Sequence, residues 1–291
     1  MYSLPPPALE TQGRCPNKYC KKYLFPRDPF PKAYGCFLPC KPGTGFATSI
    51  SEHLFEAGIP NILWGTGALH VLGVSEVGED TQFVLPDHLL NHGIKVIADK
   101  AWMTTCPWDR HCPIVRGRGW PVPDVHFHIN NEDVCLTLDL FRKSRLLWTV
   151  PDFRLESPGE NDPTFTLASR LKGPKPAARR FQDRRVPFHT EGHPVQILTP
   201  VATVNALIYL CLRDFGTCSW WRFWAQSLCS AIWEALKIFE QDDIEPCFRP
   251  FVSSMFYYEG GEIGDIIRGL RKEVGEDIMD SIEQQTVTCS S

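Results

Sequence analysis

Apolar positions along this chain recur with two different periods, and the change falls near residue 198. Upstream, short apolar or alternating runs at 62–64, 83–85, 94–97, 125–129 and 134–141 predict strands. The last two flank Asn130-Asn131-Glu132-Asp133 and predict a β-hairpin. Residues 48–58 predict a helix capped by Ser49 or Ser51, with Leu54 and Phe55 on its apolar face and Gly58 as its stop. A Gly-Thr-Gly turn at 65–67 follows the first strand and opens a short helical pattern over 68–72. Residues 88–91 predict another short helix after Pro86, halted by His92-Gly93.

Downstream the period becomes helical. Val201, Val204, Leu207, Ile208 and Leu212 share a face, Pro200 suits a first-turn position, and Gly216 a stop. A second helix carries Trp221, Trp224, Leu228, Ile232, Leu236 and Phe239, and pairs antiparallel with the first through a Gly-Thr-Cys linker. Residues 246–258 predict a third helix. Ile263, Ile266, Ile267, Leu270, Val274 and Ile278 predict an amphipathic terminal helix that docks on the body or meets a partner. The expected fold class is therefore α+β, a small mixed sheet followed by a helical domain. Its parts are a Cys/Pro-rich extension (1–47), an α/β domain (48–155), an irregular basic loop (156–197) and a helical domain (198–291).

Composition narrows the functional classes. The net charge of −4 gives no global indication of nucleic acid, and no apolar run is long enough to span a membrane. Pro5-Pro6-Pro7 occupies the place of a signal peptide's apolar core, so a cytoplasmic or nuclear location is expected. Reduced thiols then follow for the 12 cysteines, and Cys135, Cys211 and Cys229 lie in apolar patterns that suit small buried side chains. The pairs Cys15/Cys20 and Cys36/Cys40 lie at or beyond the edge of zinc-knuckle spacings. His111 between Cys106 and Cys112 offers a metal cluster, but Trp102 and Trp108 favour a packed surface loop. His126 and His128 share one strand face and, lacking a third partner, read as polar face or satisfied core. The basic residues from Arg170 to Arg185 read as a solvated loop, with binding of an acidic partner the less favoured role.

The order of these elements resembles the nucleotidyltransferase superfamily, the polymerase-beta-like fold, and more narrowly a group of fungal proteins of that fold. The resemblance covers about 48–255 and rests on Ile62-Leu63-Trp64-Gly65-Thr66, the segment 80–87, the hairpin VHFHI…VCLTLDLF, the WTVPDF segment and the helix opening at Pro200. It implies that a glycine turn approaches nucleotide phosphates, that two carboxylates spaced Asp-x-Asp bind divalent metal, and that a third carboxylate on a later strand completes the site. Carried over, Gly65, Thr66 and Gly67 form the turn, Asp80 is the first carboxylate, and Asp139 is the third. Gln82 stands where the second should be. An amide oxygen is a weaker ligand for Mg²⁺ than a carboxylate, so the substitution weakens a site for Mg²⁺ and a nucleoside triphosphate.

The resemblance thus implies a nucleotidyltransferase-like protein with an incomplete metal site, a pseudoenzyme that binds a nucleotide or partner. Two alternatives stand beside it. One is an active enzyme with Mg²⁺ on Asp80 and Asp139, moving a nucleotidyl group from a nucleoside triphosphate to a hydroxyl or protein acceptor. The other is an accessory protein that meets a protein partner through the basic loop or the C-terminal helix. The chain has no Gly-x-Ser-x-Gly elbow, no GKS/T phosphate loop, no Gly-x-Gly-x-x-Gly fingerprint and no Cys-x-x-Cys.

Overall fold

The computed structural model describes residues 44–72, 80–100, 103, 105–107, 112, 115, 121–131, 134–171, 192–215, 224–225, 227, 244–257 and 263–274. The elements run α1 (Thr44–Glu56), β1 (Ile62–Trp64), α2 (Gly65–Val71), β2 (Thr81–Leu85), α3 (Leu90–Lys100), β3 (Val125–Asn131) and β4 (Val134–Arg142). They continue as α4 (Lys143–Leu146), β5 (Phe165–Leu167), β6 (Gln196–Leu198), α5 (Pro200–Asp214), α6 (Arg249–Tyr257) and α7 (Ile263–Val274). The expected α+β class is observed: a small mixed sheet, then helices. The N-terminal cysteine pairs, the basic residues after Leu171, most of the second Trp-rich helix and the chain beyond Val274 lie outside the described residues.

Four strands form a sheet in the order β1-β2-β4-β3. β1 is antiparallel to β2, β2 parallel to β4, and β3 antiparallel to β4 as the predicted hairpin. Side chains alternate between faces along each strand, and both faces are covered. On one, Phe83, Leu85, Phe127, Leu138 and Leu140 pack with Ile50 and Leu54 of α1 and Ile97 of α3. On the other, Ile62, Trp64, Val84 and Phe141 join the helical region through Val204, Ile208, Phe248, Phe251 and Ile267. Trp148 and Phe153 of the WTVPDF segment border this second core.

Three local readings are corrected. Residues 94–97 are not a strand but the middle of α3, and Gly93 does not stop that helix. Leu90, Ile94 and Ile97 recur at helical spacing, which outweighs the short alternation of 94–97. Gly93 is there for close approach: a Cβ would lie 2.7 Å from Leu85 Cδ1. α1 begins five residues before the expected Ser49 cap, and Ser51 instead donates to Asn61 Oδ1 at 2.8 Å. Phe55 is exposed, while Leu54 is buried. The pair β5–β6 has no sequence counterpart, since each strand is only three residues long.

α5 is fixed at both ends. Thr199 accepts from Ala202 N at 3.2 Å ahead of Pro200, a cap that contributes about 1 kcal/mol. At the other end, Arg271 of α7 donates to the carbonyls of Leu212 (2.6 Å) and Phe215 (2.6 Å). A cation at the carbonyl end of a helix also opposes its macrodipole. The terminal helix is thus docked on the body. Close by, Asp214 accepts from Arg213 Nε (2.6 Å) and Trp224 Nε1 (2.6 Å), an ion pair buried among apolar side chains. No described helix is long and apolar enough to cross a membrane.

Candidate functional site

Register places the expected site residues on the sheet face that meets the helical region. Trp64 pairs with Gln82, Gln82 with Asp139, and Asp139 with His126. Paired positions on neighbouring strands project to the same side, so a polar row crosses the sheet beside the glycine turn. Asp80, one residue before β2, lies beside Thr137 in the next row, and Thr137 pairs with His128.

Hydrogen bonds link several of these side chains. Gln82 Nε2 donates to Asp139 Oδ2 at 3.2 Å. Asp80 Oδ1 accepts from the backbone N of Thr137 (2.9 Å) and from its hydroxyl (3.3 Å). Thr66 Oγ1 donates to the Asp80 carbonyl at 2.7 Å, tying the glycine turn to the start of β2. Gly65 sits at φ +58°, in the left-handed region, and a Cβ there would overlap Gln82 Oε1 and lie 2.8 Å from Cδ. The turn and the amide are thus fitted to each other. The glycine turn is the first turn of α2, which starts at Gly65 itself directly after β1, and Gly67 packs over Leu63.

Exposure decides what this arrangement can hold. Asp80 is 6 %, Gln82 4 % and Asp139 3 % exposed. Mg²⁺ demands near-octahedral oxygen ligation and keeps several waters. Here one of the three donors is an amide, and both carboxylates are already hydrogen-bond acceptors inside the core. The amide in place of a carboxylate makes this a weaker donor set for Mg²⁺ than the resemblance implies. The cleft beside the turn, lined by Trp64, Gly65, Ala68, Leu207 and Trp224 among others, is apolar and has a cavity volume of ≈ 10 Å³. That is about one water, below the ~300 Å³ at which ligand pockets begin, and Asp80, Gln82 and Asp139 do not line it. A separate cleft of ≈ 200 Å³ lies between α1 and the start of β6, lined by Phe55, Asn61, Arg154, Glu156, His193 and Gln196 among others. None of the expected site residues reaches it.

A second constellation continues the same sheet face. Cys106, Cys112, His126 and His128 bring one ligand atom each to within 4.8 Å of one another. Thr105 bridges Phe127, and Cys106 N donates to the His126 carbonyl at 3.0 Å, so this loop residue runs alongside β3. Cys112, buried, lies with Sγ 3.3 Å from His128 Nε2. Its thiol is held far below the usual range, at about 2, chiefly by hydrogen bonding from Cys106 against the opposing effect of burial. The two imidazoles stack with centroids 5.3 Å apart. Of the two readings of this pair, polar face or core, His126 takes the core one at 2 % exposed, and the loop supplies the neighbours that the strand pattern lacks. His111 lies outside the described residues. The signal was in the sequence: an alternating His-x-His strand preceded by two cysteines.

No family model and no curated protein match the chain. Among solved structures it is similar to the crystal structure of an antigenic nucleotidyltransferase-like protein from Paracoccidioides brasiliensis. The two share 11 % identity and a TM-score of 0.42, over 82 % of this chain and 91 % of that one.

Proposed function

We propose that this chain is a nucleotidyltransferase-like pseudoenzyme whose work is binding rather than transfer. One observation carries the reading: Gln82 spans from beneath Gly65 to Asp139 and closes the place where a metal pair would sit. The layout implied by the resemblance has a glycine turn after the first strand, paired positions on the next and a carboxylate on a later one. Gly65 at the start of α2, Gln82 on β2 and Asp139 on β4 lie side by side on one sheet face, which supports the reading. In-line nucleotidyl transfer needs cations to neutralise charge on the phosphate oxygens. A row in which both carboxylates act as internal acceptors has lost that capacity while keeping its structural value. Partner contact then falls elsewhere in the chain, and the basic residues between Arg170 and Arg185 are the stretch of sequence whose charge suits an acidic protein.

The test is a thermal-shift titration of the full chain with ATP, GTP, CTP and UTP, each with and without Mg²⁺ or Mn²⁺. A ligand bound only by the folded state raises the melting temperature with occupancy. The expected result is no metal-dependent shift at millimolar nucleotide. A shift that needs metal and disappears in Asp80→Ala would overturn the reading in favour of an active transferase.

A further inference from the structure

We propose that Cys106, Cys112, His126 and His128 bind one Zn²⁺, which clamps the loop after α3 onto the edge strand β3. Two thiols and two imidazoles are a soft-to-borderline donor set, suited to zinc and unsuited to Mg²⁺ or Ca²⁺. Zn–S bonds of about 2.3 Å and Zn–N bonds of about 2.0 Å in a tetrahedron place neighbouring ligand atoms about 3.3–3.8 Å apart. Cys112 Sγ and His128 Nε2 already stand at 3.3 Å. The widest separation is 4.8 Å, so the set closes on an ion with a movement of about 1 Å.

The local fold explains how the set forms. His126 and His128 alternate on β3, so both imidazoles project from one face. The Thr105–Phe127 bridge lays the loop along the open edge of that strand and puts Cys106 opposite His126. Cys112 then returns to His128. His126 is 2 % exposed, and its Nε2 has no hydrogen-bond partner among the described residues. A buried polar atom of that kind calls for an explanation, and a metal bond supplies one. Four protein ligands leave no open position, which marks a structural rather than a catalytic zinc. The clamp also covers an edge strand that would otherwise be open to pairing with another chain. The site is independent of the proposed loss of transfer activity, and uses none of its residues.

The decisive experiment is elemental analysis of the full chain purified without chelators, with Co²⁺ reconstitution as a second readout. The expected wild-type content is about one zinc per chain. A chain with Cys15, Cys20, Cys36 and Cys40 all changed to Ser keeps it, and Cys106→Ser with Cys112→Ser loses it. Co²⁺ in the wild-type chain gives the intense visible bands of a tetrahedral centre and thiolate charge transfer, a readout that needs no variant to fold. Zinc retained by the Cys106/Cys112 double variant, zinc lost from the N-terminal variant, or a wild-type chain with neither zinc nor tetrahedral cobalt bands overturns the proposal.

Discussion

Gly65→Ala is expected to be among the most damaging methyl additions in the sheet region, and its cost should depend on Gln82. Two effects combine. An alanine at φ +58° is strained by about 1–2 kcal/mol. Its Cβ also overlaps the Gln82 amide, which must swing away. A free side chain would do so cheaply, but this one is 4 % exposed and donates to Asp139. Losing a hydrogen bond to a charged group costs about 1.5–3 kcal/mol. The sum, about 2.5–5 kcal/mol, is a large share of the roughly 5–15 kcal/mol that stabilises a typical domain. In a Gln82→Ala background the overlap is gone and only the backbone strain remains, so the same glycine change should cost about 1–2 kcal/mol. Urea unfolding of wild type, both single variants and the double variant gives the coupling directly. A coupling of about 2 kcal/mol supports the fitted turn and amide. Equal costs of Gly65→Ala in both backgrounds, within about 0.5 kcal/mol, would refute it.

Further outcomes follow from the helical side and from α1. Asp214→Ala leaves the Arg213 guanidinium buried without its carboxylate and removes the acceptor of Trp224, so a loss of about 3–5 kcal/mol is expected in urea unfolding. A loss under about 1 kcal/mol would mean the pair is solvated. Arg271→Ala uncaps the carbonyls of Leu212 and Phe215, and hydrogen exchange should accelerate in α7 and the last turn of α5 while the amides of β2 and β4 stay protected. Uniform acceleration would instead indicate global unfolding. Burial lowers the His193 pKa below its ordinary value, against the opposing pull of Glu52 and Glu56. The folded chain therefore binds fewer protons than the unfolded one between the lowered pKa and about 6.5. Stability should fall as pH drops from about 6.5 through the lowered value, and His193→Gln should flatten that slope. An unchanged slope would place the titrating group elsewhere.

Much of the fold is legible in the chain because its strongest signals are local. The hairpin of β3 and β4 shows in long apolar runs around a polar turn, and α5 in a Thr-Pro start with helical spacing. Residues 94–97 mislead because a short alternating run inside an amphipathic helix looks like a strand, and Gly93 looks like a stop until Leu85 is seen against it. β5 and β6 are too short for any period, and they exist only by pairing across the chain. The row of Gly65, Gln82 and Asp139 could be suspected from residue types, but the residue types do not fix which position on β2 Asp139 faces. The parallel pairing of β4 with β2 settles that register. The Cys/His constellation was the harder case. Its four residues come from a loop and a strand, and contacts such as the bridge at Thr105 and the Cys106 N–His126 O bond bring the two together.

The most direct test of the closed row is a Mn²⁺ titration of the zinc-loaded full chain by electron paramagnetic resonance, with and without ATP. The account predicts that Asp80 and Asp139 contribute no Mn²⁺ binding: the free-ion signal in the presence of wild type should match that of Asp80→Asn at every Mn²⁺ concentration. Submillimolar Mn²⁺ binding in wild type that is lost in both Asp80→Asn and Asp139→Asn would contradict it, and would return the row to metal chemistry.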